Sequence, residues 1–306
     1  MHALIQLQTT RKARRFPSVP STRLVQGVVC GAIALSAPHA HAAWDTYIKG
    51  AFGPVVSWPL IPIHVVLLPD GRVLGYGTDG QGNQTGQFTY DVWDPSKGTG
   101  ADAHLTLPNT TGTDTFCSGQ IVLPASGAVL LTGGDKTVNN VRNYSVNDVN
   151  LFDYRSSALY SAQQPMSYLR WYPTVLTTAA GEVLVLGGRI DPDTPTPTPE
   201  VYTEGTGWRT LSSATSDDAY GLKNWSYPRA WQAPNGKVFV ATKWGGTYYL
   251  DPAGTGKLEK TSLTLAASDE YLTSVMFTPG KILSLRKLNK AVVIDITGER
   301  SSNSGA

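Results

Sequence analysis

Five segments of the sequence repeat one pattern: an apolar run, a tight turn on glycine, and a second apolar run. The turns fall at Gly71, Gly127, Gly181, Gly236 and Gly280, spaced 56, 54, 55 and 44 residues apart. The clearest copy reads Thr174-Val-Leu-Thr-Thr-Ala-Ala-Gly181-Glu-Val-Leu-Val-Leu-Gly-Gly188. The copies at Gly236 and Gly280 are weaker, and the last lacks the closing Gly-Gly. A turn this tight needs a positive φ, which glycine adopts without steric cost, so each copy reads as a β-hairpin. A third apolar stretch follows in every copy: Tyr90–Pro95, Val149–Asp153, Glu200–Tyr202, Thr247–Pro252 and Ala291–Asp295. The fold class is therefore all-β.

Strand, turn, strand, Gly-Gly and strand at about 50 residues per unit is the signature of a kelch-type β-propeller blade. About five blades are present, occupying residues 43–298. A β-helix or a sandwich would supply strands but not this period. Composition agrees, because 31 Gly and 20 Pro in 306 residues favour turns over long helices. Between the repeats, Asp191 to Pro199 reads as an extended, exposed Pro/Thr loop. Residues 299–306 read as a frayed polar tail.

The first 42 residues read as an address. Arg11, Lys12, Arg14, Arg15 and Arg23 precede an apolar stretch from Leu24 to Leu35, and Ala40-His41-Ala42 ends the segment. A basic region, a short apolar region and an A-x-A site are the pattern of a secretory signal cut after Ala42. The expected location is secreted or periplasmic. No apolar run reaches the roughly 18 residues needed to span a bilayer. The formal net charge of +2 comes from this leader. Without it the body is slightly acidic, which offers no nucleic-acid footprint. With Cys30 in the leader, the body keeps one cysteine, Cys117. It is buried and inert, paired with another chain, or chemically committed.

Blade-opening strands line the channel of a propeller, so residues just before the glycine turns converge near its axis. Cys117 stands ten positions before Gly127. Tyr172, Tyr227 and Tyr271 each stand nine before their own turn. The words Thr115-Phe116-Cys117-Ser118-Gly119 and Arg170-Trp171-Tyr172-Pro173-Thr174, each opening a strand pair, resemble the copper-radical oxidases. That family includes galactose oxidase and glyoxal oxidase, and the two words look more like the glyoxal oxidase branch. The resemblance runs from about Trp58 through Gly298. It implies that Cys117 and Tyr172 are joined by a thioether, and that Tyr172 ligates copper and stores a radical. It also implies oxidation of a primary alcohol or aldehyde, with oxygen reduced to hydrogen peroxide.

The family site also needs two histidines and an axial tyrosine followed directly by one of them. Outside the leader only His64 and His104 remain, both before Cys117, and no Tyr-His pair occurs. One phenolate without imidazoles is a poor copper(II) site. His64 reads as structural or channel-facing, and His104 as a solvated loop residue. The family's stacking tryptophan is replaced by Ile190. Family members have seven blades and a C-terminal sandwich domain, so the chain reads as a truncated member, with a partner chain completing the propeller. The implied ligand is a small aldehyde, primary alcohol or carbohydrate. The alternative is a non-catalytic secreted propeller that binds glycan or protein. Trp225, Trp231 and Trp244 would then stack on sugars, or else they are core residues of the fourth blade.

Overall fold

The apolar runs on either side of each glycine turn fold as antiparallel strand pairs, and two further strands extend each pair into a sheet. The computed structural model describes residues 50–138, 141–269, 271–298 and 302–304. The expected leader, residues 1–42, lies outside the described residues. Residues 50–54 group with that preceding segment, and the architecture below belongs to the unit from Val55 onward.

Five sheets follow one another along the chain. The first comprises β1 (Ile61–Leu67), β2 (Val73–Thr78), β3 (Thr89–Trp93) and β4 (His104–Pro108). The second comprises β5 (Gly119–Val122), β6 (Val129–Thr132), β9 (Val149–Asp153) and β10 (Ala158–Ser161). A separate hairpin, β7 (Asp135–Val138) and β8 (Val141–Ser145), is inserted within it. The third comprises β11 (Trp171–Thr177), β12 (Val183–Asp191), β14 (Glu200–Thr203) and β15 (Gly207–Thr210), with the short β13 (Thr194–Pro195) on β12. A one-turn helix, α1 (Asp217–Tyr220), capped by Ser216, leads to the fourth sheet. That sheet holds β16 (Arg229–Gln232), β17 (Val238–Ala241), β18 (Gly246–Asp251) and β19 (Lys257–Thr264). The fifth holds β20 (Ser274–Thr278), β21 (Lys281–Arg286), β22 (Lys290–Asp295) and β23 (Ser302–Ser304).

All five turn glycines have positive φ, from 74° at Gly127 to 86° at Gly71. The Gly-Gly step has a different cause. A Cβ at Gly133 would lie 2.1 Å from the carbonyl oxygen of Arg170, and one at Gly187 would lie 2.7 Å from the Pro228 ring. The double glycine lets the segment that opens the next sheet cross at backbone distance, and Gly134 N–H donates to that same Arg170 carbonyl.

Period-2 alternation sends neighbouring side chains of one strand into different cores. Val129 and Leu131 pack with Leu74, Val92 and Phe152 between sheets one and two, while Leu130 packs with Val183 and Val185 between two and three. Leu184, Leu186, Val238 and Val240 fill the space between three and four, and Phe239, Ala241, Ile282 and Ile294 that between four and five. The second strands of the first four sheets (β2, β6, β12 and β17) are buried on both faces, which is why they read as largely apolar runs. The outer faces of the first and fifth sheets expose Ile63, Val65 and Leu67, and Val275, Phe277 and Leu283.

Two loop expectations are corrected. The segment Asp191 to Pro199 is not an exposed loop: it folds back through β13, and Thr196 and Thr198 are buried with their hydroxyls bonded to Leu169 O and Thr215 Oγ1. Its carbonyls are met by other segments: Ser216 N–H donates to Pro197 O, Leu211 N–H to Pro199 O, and Arg170 to Thr198 O. Within the expected frayed tail, Ser302–Ser304 pairs with Val293–Asp295. No helix among the described residues is long and apolar enough to cross a membrane.

Candidate functional site

The first strands of successive sheets lie side by side: β1 against β5, β5 against β11, and β11 against β16. Residues from all five first strands line one cavity of about 640 Å³. Its lining includes His64, Cys117, Tyr172, Tyr227, Arg229 and Tyr271.

Three of these residues hold an unusual backbone. Cys117, Tyr172 and Tyr227 sit just before or at the start of first strands with φ of 60°, 64° and 41°. Left-handed backbone at a non-glycine residue costs on the order of 1–3 kcal/mol and persists where surrounding bonds enforce it. A continuous chain of bonds does so here. His64 Nε2 accepts from Cys117 N–H at 3.1 Å, Cys117 O accepts from Tyr172 N–H at 3.0 Å, and Tyr172 O accepts from Tyr227 N–H at 3.1 Å. Arg170, fully buried, anchors this entry through an ion pair with Glu200 at 2.9 Å and a bond to Gly187 O at 2.6 Å.

The side chains meet as the backbone does. Tyr172 and Tyr227 rings are 4.7 Å apart, and both phenols lie close enough to the Cys117 thiol to act on its titration. Burial pushes that thiol up to about 12, and the nearby charges of Asp135 and Asp114 push the same way. Burial also raises Tyr172 and Tyr227, with Cys117 adding to each shift. The cluster therefore holds its protons at neutral pH. Tyr271 stands at the cavity rim, 80% exposed.

His64 is neutral as well: burial lowers it to about 4. Its ring stacks on Tyr76 at 5.0 Å, and the nearby Gln120 side chain acts against that shift. Tyr76 in turn bonds Ser118 Oγ at 3.0 Å and Gln120 Oε1 at 3.1 Å.

Trp171 and Trp225 flank Tyr172 edge-on at 4.4 and 5.6 Å. They stack on each other, with the Arg189 guanidinium over both rings at 4.7 and 4.3 Å. No sequence feature singles out Arg189, although it directly follows the Gly-Gly of the clearest repeat. Ile190 stands beside it and contributes its carbonyl to Ser145. Of the other tryptophans, Trp231 packs on Phe239 and lines the cavity, while Trp244 is half exposed, beneath Lys287.

The structure thus brings Cys117 and Tyr172 together and adds Tyr227, Tyr271 and His64. It does not bring His104. That residue is not a solvated loop histidine: it opens β4 with its Nδ1 2.7 Å from Asp91 Oδ2, and both side chains are buried. The two are cross-strand neighbours, which a gap of 13 positions conceals. Copper(II) calls for imidazole nitrogens. The one imidazole at the cavity spends Nε2 on Cys117 N–H, and the described residues contain no group of three His, Cys, Asp or Glu able to hold a metal. The residues present do not fit a copper centre.

No protein-family model matches the chain, and no curated protein sequence matches it. Solved structures do. A fungal alcohol oxidase with catalytic diversity among the AA5 family, in complex with copper, aligns at 22% identity and TM-score 0.66. The match covers 82% of this chain and 55% of that one, so the chain spans about half the length of the oxidase. The structure of YjhT aligns at 13% identity and TM-score 0.56, over 79% of this chain and 83% of its own. At these identities the likeness is one of fold: an all-β chain of successive antiparallel sheets.

Proposed function

We propose that this chain is an exported, oxidase-like protein related to the copper-radical oxidases, built as a kelch-type propeller whose axial pocket takes a small aldehyde, primary alcohol or carbohydrate. The observation that carries the reading is the meeting of Cys117 and Tyr172, joined by a backbone bond and both at the wall of the cavity. Four cores joining five sheets, and five first strands around one cavity, support the propeller. The basic and apolar leader supports export.

The chain supplies the sulfur and phenol part of such a site and not its imidazoles. The exposed apolar faces of the first and fifth sheets suit a partner chain that completes the ring. The test is peroxide release by the purified protein with copper, offered small aldehydes and galactose, with and without free imidazole. The expected result is peroxide above the protein-free control that needs imidazole and is lost in Tyr172→Phe. No Tyr172-dependent peroxide from a folded protein overturns the oxidase reading.

One observation favours a second reading. His64 Nε2 is committed to a structural bond, which suits a pocket that binds without turnover. Binding of galactose or a short glycan that survives Tyr172→Phe would support it.

A further inference from the structure

A second cavity, of about 400 Å³, opens where the inserted hairpin leaves the second sheet. Three segments meet there: residues 112–114 ahead of β5, the start of β7 at Asp135, and residues 145–148 between the end of β8 and β9. Backbone pairing holds them together. Asp135 pairs with Ser145 across the hairpin, and Asp135 N–H donates to Asp114 O at 2.9 Å. Gly134 permits the crossing, since a Cβ there would lie 2.2 Å from that same Asp114 oxygen. This cavity and the larger one share no described lining residue.

The described lining carries the carboxylates of Asp114, Asp135 and Asp148 against one ammonium, that of the exposed Lys136. Asp135 is 3% exposed, and its two oxygens fare differently. Oδ1 accepts from the N–H groups of Lys136 at 2.7 Å and Asn143 at 2.9 Å. Oδ2 is buried with no hydrogen-bond partner. Asp114, also buried, spends Oδ1 on Phe116 N–H at 3.0 Å, and Asp148 Oδ2 accepts from Thr113 Oγ1 at 2.7 Å. Burial raises both Asp114 and Asp135, and the charge of Asp135 adds to the rise at Asp114. The exposed Arg142, bonded to Gln84, opposes both shifts. A buried carboxylate oxygen left bare is costly, so proteins rarely keep one unless something else meets it.

We propose that this cavity takes a small organic ammonium ion, which donates to Asp135 Oδ2 and lies among Asp135, Asp114 and Asp148. The charge of the lining asks for a cation, and its geometry favours an ammonium over a metal ion. Each carboxylate comes from a different segment, and each has an oxygen already spent. The described residues include no group of three His, Cys, Asp or Glu able to hold a metal. A metal ion needs a tight shell of oxygens, whereas an ammonium donates three separate hydrogen bonds to whatever oxygens surround it. Three carboxylates against Lys136 leave two negative charges, which suits a diamine, and Val146 and Leu169 offer apolar wall to its carbon chain. The proposal does not rest on the oxidase-like reading, because none of these residues lines the Tyr172 cavity and the test reads binding alone.

The test is calorimetric titration of the full chain with 1,4-diaminobutane, alongside its thermal midpoint. The neutral analogue of equal length is 1,4-butanediol, and calcium chloride supplies the same charge without the carbon chain. The expected result is saturable binding and a raised midpoint with the diamine, and neither with the diol or calcium. Asp135→Asn keeps the oxygen that serves the two backbone N–H groups, and is expected to bind the diamine at least about tenfold more weakly. Asp148→Asn, at the half-buried carboxylate, is expected to weaken binding several-fold, and it decides the matter should Asp135→Asn fail to fold. No binding of the diamine, equal binding of the diol or of calcium, or folded variants that bind the diamine as the wild type does would each overturn the proposal.

Discussion

Tyr172 N–H donates to Cys117 O at 3.0 Å, and both residues carry left-handed backbone, at φ 64° and 60°. The bond joins the entries of two successive sheets, and the shared twist turns a phenol and a thiol toward each other inside one cavity. Two strained positions joined this way are a device for placing side chains, because neither conformation is favoured on its own.

The oxidase-like reading proposed above carries a thioether between these residues, and with no copper centre of the chain's own that bond needs copper and oxygen supplied from solution. After aerobic exposure to copper, peptide mapping is expected to show the Cys117 and Tyr172 peptides as one species, lighter by the hydrogens lost in forming the carbon–sulfur bond. Recovery of both peptides separately, in full yield, would remove the cross-link from the chemistry of this chain.

Before copper is added, the thiol is expected to be inert. With its pKa pushed up to about 12 from the ordinary value of 9.0, the folded chain holds about a thousandfold less thiolate at pH 8 than the unfolded chain. Iodoacetamide at pH 8 should leave Cys117 untouched in the native protein and label it readily in urea. The same shift makes stability fall as pH climbs from about 9 to about 12, because only the unfolded thiol ionises in that window. Equal labelling rates in the two states would contradict the burial of the sulfur.

What could be read from the residues divides along a physical line. The five hairpins were legible because a tight turn needs positive φ and glycine announces it. The same backbone at Cys117, Tyr172 and Tyr227 was not legible, since no glycine marks it and neighbouring sheets enforce it. Their convergence followed from equal distances to the turns, whereas His104 misled because its partner Asp91 sits on the adjacent strand. Asp191 to Pro199 misled because composition registers the prolines and not the buried Arg170 that donates to the carbonyl of Thr198.

Two glycine substitutions separate conformation from contact. Gly181, at φ 78°, has nothing within 4 Å of a built Cβ, so Gly181→Ala is expected to cost about 1 kcal/mol from backbone strain alone. Gly133, at φ 72°, would place its Cβ 2.1 Å from Arg170 O, so Gly133→Ala must also move the segment leading to Tyr172. Its expected cost is roughly 3 kcal/mol or more. Urea denaturation of both variants checks the order. Equal losses would mean that the Arg170 crossing is not held as closely as the structure places it.

The bond from Cys117 N–H to His64 ties stability to pH on the acid side. Burial holds His64 at about 4 against the ordinary value of 6.5, so the folded chain refuses a proton that the unfolded chain accepts between those limits. The stabilisation is complete above pH 6.5 and drains away as pH falls toward 4, where it amounts to a loss of about 3 kcal/mol. His64→Gln keeps an acceptor for Cys117 N–H but cannot take the proton. Carboxylates titrate alike in both proteins and cancel in the comparison. The wild-type advantage over His64→Gln, measured by urea denaturation at half-unit steps, should therefore shrink from pH 6.5 to 4. Parallel curves over that range would show that His64 is protonated as easily folded as unfolded, and would overturn the burial that holds it neutral.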